Sequence, residues 1–136
     1  MVKAFIDTSV ILRILVRDDE KKIEACENLI KNAKSEGILL YVPSVAILET
    51  VWVLEKVYRL ERRMIRELVE AILNTPELHC EMESVFRQAI RTYAEKNIKF
   101  ADSVMGHWGL EKGFSLIYTY DEKDFLRIDG LKVKVP

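Results

Sequence analysis

Four short stretches of this chain carry acids where an ordinary strand or helix has little use for them: FIDTSV at Asp7, ILETVWVL at Glu49, FADSVMGHW at Asp102, and TYDEKDF at Asp121 and Asp124. Asp7 follows directly on an apolar run and precedes two hydroxyls, Thr8 and Ser9. Any one of the three would suffice to cap a following helix. Together they also suit a carboxylate at the carboxyl end of a parallel strand, held by hydroxyls or a bound ion, where open α/β sheets place their ligand chemistry. TYDEKDF repeats the arrangement: an apolar run over 116–118, then Thr119 and Asp121, with Asp124 one helical turn on. Asp102 falls in the first turn of a predicted helix, where the macrodipole favours a negative charge. Its face continues through Met105, Gly106 and Gly109, which turns it inward. Glu49 shares a helix face with Val45, Ala46, Trp52 and Val53, so the pattern points its carboxylate at the core. Burying an unpaired carboxylate costs several kcal/mol. No basic residue lies one turn away on that helix, which favours a site role over a local ion pair.

Carboxylates about 5 Å apart repel by about 3 kcal/mol per pair at an effective dielectric near 20, so a cluster of them persists by binding cations or holding protons. An all-oxygen set without Cys or His selects Mg²⁺ or Mn²⁺ rather than zinc. The usual work of such sites is phosphoryl chemistry. The formal net charge of -1 argues against bulk electrostatic coating of nucleic acid, so any contact must be local. The densest basic supply is RLERRMIRE, where Arg59, Arg62, Arg63 and Arg66 fall at i, i+3, i+4 and i+7. That stripe reads either as a solvated face paired with Glu or as a phosphate-facing one. His107 reads as an ordinary half-buried side chain, and Trp52 and Trp108 as core aromatics. Cys26 and Cys80 have no CxxC spacing, which leaves reduced thiols of a cytoplasmic protein as the expectation.

The elements that must position these residues alternate. Strands are predicted over 2–6, 38–42, 78–81 and 115–119, with an edge strand in the tail LKVKV. Helices are predicted over 9–16, 20–35, 44–58, 61–73, 83–96 and 100–112. The first strand is expected to be buried. Alternation of this kind predicts an α/β fold, a central parallel sheet with helices on both faces, in a single domain over 1–136. The apolar run GILLYVPSVAILETVWVL is long enough to raise a membrane span, but Pro43 and Glu49 interrupt it, and no signal peptide precedes it. The pair of helices over 44–58 and 61–73 carries more apolar positions than one face can bury. Val51, Leu54, Val57, Tyr58 and Leu60 are therefore candidates for a homodimer contact or a groove for a protein partner.

The ordered set FIDTSV, LETVWVL, FADSV and TYDEKDF resembles the PIN-domain family, and within it the VapC-like toxin ribonucleases, over nearly the whole chain. The resemblance implies a metal-dependent endoribonuclease, the toxin of a type II toxin-antitoxin pair. Asp7, Glu49, Asp102 and Asp121 would hold one or two Mg²⁺ or Mn²⁺ ions, with Thr8, Ser9 and Thr119 as supporting hydroxyls. It also implies a small antitoxin partner, a homodimer and an RNA substrate, with no membrane. Many relatives have one residue fewer between the last two acids; the expected fourth carboxylate is Asp121, with Asp124 behind it. On this reading Asp7 is a ligand while Ser9 is left to cap the helix. Alternatives are a housekeeping RNA-processing nuclease on the same scaffold and a non-catalytic RNA-binding relative. A haloacid-dehalogenase-type phosphatase would want an Asp at position 9, which is Ser, and a receiver domain would want paired acids near its first strand.

Overall fold

Short β-branched runs separated by charged amphipathic segments become, in the computed structural model, five strands and seven helices; it describes residues 1–136. In chain order these are β1 (Val2–Phe5), α1 (Thr8–Val16), α2 (Glu20–Ala33), β2 (Ile38–Val42), α3 (Ser44–Lys56) and α4 (Arg62–Leu73). There follow β3 (Leu78–Cys80), α5 (Glu83–Lys96), α6 (Phe100–Glu111), β4 (Leu116–Tyr118), α7 (Glu122–Phe125) and β5 (Lys132–Lys134). Every strand pairing is parallel, as the βα alternation requires. The chain forms two compact units, Met1–Glu81 and Met82–Pro136.

In the first unit the strands lie in the order β1-β2-β3, with Phe5 opposite Tyr41 and Tyr41 opposite His79. Leu40, Val42 and Leu78 are buried, and Ile11, Ile23, Ala46, Ile47, Val51, Leu54, Ile65 and Val69 complete the core from the helices. Ile65, Val69, Ile72 and Leu73 of α4 recur at i, i+4, i+7 and i+8 and form its buried face. Asp19 starts α2, accepting the Lys22 N–H at 3.2 Å, and Gly37 turns the chain into β2 with a φ of 73°.

In the second unit α5 packs on α6 through three aromatic rings. Phe86 and Phe100 stack at 6.1 Å, and Tyr93 meets Phe100 edge-on at 5.6 Å. The Ser103 hydroxyl donates to Ala89 O at 2.8 Å, tying the two helices together with a satisfied buried polar group. Gly106 lets Ile128 close on α6: a Cβ there would stand 2.4 Å from Ile128 Cδ1. Ile98, Phe125 and Ile128 form the core beneath β4 and β5, whose register sets Ile117 opposite Val133.

The structure corrects several expectations. The first strand is not buried: Phe5 is 74% exposed, and the buried residue is Ile6, just past the strand's end. Val51 and Leu54 belong to the core rather than to a surface, whereas Val57 and Tyr58 are exposed. Trp52 and Trp108 are exposed, not core aromatics. A four-residue helix, α7, absent from the predicted elements, follows Asp121; it is too short to show a period.

Candidate active site

In the first unit, Asp7 stands just past the carboxyl end of β1 and caps the helix that follows. Asp7, not Ser9, is the N-cap of α1: its Oδ1 accepts the Ser9 N–H at 3.1 Å, the Ser9 hydroxyl at 2.6 Å and the Val10 N–H at 3.4 Å. Its Oδ2 takes none of these bonds, which leaves one oxygen of a rigidly oriented carboxylate outward. The Ser9 hydroxyl is the main cause of a carboxyl held below its ordinary range, so Asp7 is ionised at neutral pH. Thr8, in the first turn of α1, is buried.

Glu49 is exposed, against the expectation of an inward carboxylate. The buried face of α3 is Ala46, Ile47, Thr50, Val51 and Leu54, so Val45, Glu49 and Trp52, at i, i+4 and i+7, face out. Apolar residues surround most of α3, and no periodic contrast in the sequence marks which side is the core. An exposed carboxylate carries no burial penalty and is available to a cation.

In the second unit the structure gathers Asp102, Asp121, Asp124 and Lys99. Asp102 Oδ2 is buried without a hydrogen-bond donor. Burial chiefly, then the charges of Asp124 and Asp121, raise the Asp102 carboxyl above its ordinary range; Lys99 opposes them, and a hydrogen bond with Asp124 adds to the rise. Asp124 is 7% exposed and its Oδ2 accepts the Lys99 N–H at 3.1 Å. Asp121 is exposed, stands at the start of α7 without capping it, and has Lys99 Nζ 4.0 Å from its Oδ2. Thr119 Oγ1 accepts the Asp121 N–H at 2.9 Å and shapes the turn after β4. Of the two late acids, Asp124 is thus the one held against Asp102. Lys99 was not anticipated as part of this group; its only signal is a position three residues before Asp102.

Within neither unit do three or more acids, histidines or cysteines stand as a ready metal cage. In each unit the acids offer only oxygen, the donor type of a hard divalent ion: in the first, Asp7 keeps Oδ2 outside its capping bonds, and in the second, Asp102 Oδ2 is buried without a hydrogen-bond partner.

The basic stripe is broken. Arg62, Arg63 and Arg66 lie on α4, but Arg59 sits in the connection before it, in left-handed backbone with φ 55°. The link that carries Arg59 is not helical, so the four arginines do not share one helical face. Arg66 pairs with Glu70 at 3.3 Å, one turn along α4. His107 is half-buried between α5 and α6, with its Nε2 2.8 Å from Thr92 Oγ1; burial, then Lys96, lower its pKa and keep it neutral. It does not join the acids. Cys26 and Cys80 are half-buried and form no disulfide.

The PIN-domain family model matches residues 4–131, which takes in all five acids and both units. A VapC ribonuclease of Aquifex aeolicus (strain VF5) is 30% identical over 118 residues, 87% of each chain.

Proposed function

This chain belongs to the PIN-domain family, and on that premise we propose that it is a metal-dependent endoribonuclease and the toxin of a toxin-antitoxin pair, working in the cytoplasm. Asp7, Glu49, Asp102 and Asp121 are the proposed carboxylates for Mg²⁺ or Mn²⁺, with Thr8, Ser9, Thr119 and Asp124 in support. The observation that carries the reading is the buried, partnerless Oδ2 of Asp102 among like charges. A buried carboxylate oxygen without a partner is costly, and a bound cation would offset that cost.

A divalent ion held by these carboxylates supplies Lewis acidity towards a phosphodiester oxygen and a nucleophile at neutral pH. The chain's own contributions are positional and protonic. The Ser9 and Val10 bonds fix the orientation of Asp7, which would hold its Oδ2 ready for an ion. Asp102 would be the ligand whose charge burial and Asp124 disfavour, and Lys99 opposes that effect. The Thr119 bond holds the Asp121 backbone, so only that side chain adjusts.

No helix is long and apolar enough to cross a membrane. The exposed apolar residues Val45, Trp52, Val57 and Tyr58 support a homodimer or antitoxin contact. RNA cleavage by purified protein should need Mg²⁺ or Mn²⁺, stop with EDTA and be absent from Asp7→Asn, which keeps the cap and loses the charge. Full cleavage by metal-stripped protein overturns the proposal. A housekeeping nuclease would show the same chemistry but neither arrest growth on induction nor bind the product of a neighbouring gene.

A further inference from the structure

The first unit has a strand-end acid besides Asp7. Glu81 directly follows β3, and it bonds the chain on both sides of Pro43 at the junction of β2 and α3. Its N–H donates to Val42 O at 2.9 Å, and its Oε1 accepts the Ser44 N–H at 3.0 Å. The Ser44 hydroxyl is a further partner, and it, then the Ser44 N–H, holds the Glu81 carboxyl below its ordinary range. The junction needs the help. Pro43 occupies the N-cap position of α3 and offers no side-chain oxygen to the free N–H groups of the first turn. A carboxylate there also suits the positive end of the helix dipole.

We infer that Glu81 is a positioning residue for Glu49: clamping Val42 and Ser44 from a strand 37 positions away in sequence, it sets where α3 starts and how it is rotated. Glu49 lies about one and a half turns into that helix, and a slip of one residue at its start would turn the carboxylate by about 100°. The inference rests on the proposed role of Glu49 as a metal ligand. A merely structural Glu81 would instead affect how firmly the protein folds, not how the folded protein handles metal.

The test uses the full chain with Glu81→Ala, which removes the acceptor, and Glu81→Gln, which keeps an acceptor oxygen without the charge. Three quantities are read: amide hydrogen exchange at residues 44–49, Mn²⁺ affinity by calorimetric titration, and kcat and KM for RNA. Glu81→Ala should exchange faster at 44–49, bind Mn²⁺ several-fold more weakly, and lose about tenfold in kcat at unchanged KM, since a misplacement of about 1 Å can cost up to about 10²-fold. Glu81→Gln should recover most of each. Wild-type kcat and Mn²⁺ affinity in Glu81→Ala overturn the inference, as does a variant that differs only in melting temperature. A wild-type protein that neither binds Mn²⁺ nor cleaves RNA removes the reading on which the inference rests. Unchanged exchange at 44–49 in an otherwise active Glu81→Ala protein removes the clamp alone.

Discussion

Asp102 is unfavourable for folding as an anion, and the proposed metal site would put its charge to use. Its carboxyl is raised above the ordinary value of 3.8, first by burial and then by Asp124 and Asp121. Between the unfolded and folded values the native state therefore holds more protons than the unfolded chain, and stability falls as pH rises through that window. Below the unfolded value no penalty remains. Asp102→Asn should accordingly melt higher than the wild type at pH 7 in EDTA, and the gap should close as the pH falls below about 4, near the unperturbed Asp range. Mn²⁺ should then raise the melting temperature of the wild type and not of the variant. A variant less stable than the wild type at pH 7 without metal would show instead that the carboxylate is an ordinary first-turn charge on α6.

At the scale of elements, the approach of α6 to Ile128 depends on a missing side chain. Gly106→Ala gains helix propensity of up to about 1 kcal/mol but places a Cβ against Ile128 Cδ1 in a closed core. The clash should win, because overpacking costs about 1–3 kcal/mol. Ile128→Val removes the offending methyl, so the double variant should be more stable than the sum of the two single losses, a coupling that denaturant melts resolve. Purely additive losses would contradict the contact. The α4 arginines pose the other question of this scale. If Arg62, Arg63 and Arg66, with Arg59 before them, hold RNA phosphates, replacing all four by Ala on an Asp7→Asn background should flatten the salt dependence of RNA affinity by roughly one contact each. An unchanged slope assigns them to pairs such as Arg66 with Glu70, worth a few tenths of a kcal/mol.

At the scale of the molecule, outward apolar residues on α3 and just after it ask for a partner. Val45 is 69% exposed and Trp52 59%, with Val57 and Tyr58 beyond them. Such a stretch is favoured when something covers it. Sedimentation should find a homodimer that Trp52→Glu dissociates without unfolding either compact unit. A monomeric wild type that also ignores the product of its neighbouring gene would remove both proposed partners.

The sequence by itself determined the α/β class, the parallel pairing, the amphipathic α4 and the ordered acids, because periodicity, turn residues and strand-end composition are local signals that each short segment carries alone. α2 starts and β2 runs as the spacing predicts, Pro43 precedes α3, and Gly113 follows α6. Only the tertiary structure decided which side of α3 is inside, since a helix apolar almost all round reveals its buried face only when something packs on it. Only it showed that Asp7 caps with one oxygen and leaves the other open, and that Asp124 rather than Asp121 lies buried against Asp102. It likewise showed that Glu81 reaches Ser44 from a distant strand. Each of these depends on atoms far apart in sequence or on the rotation of one side chain, and neither leaves a trace in the order of residues.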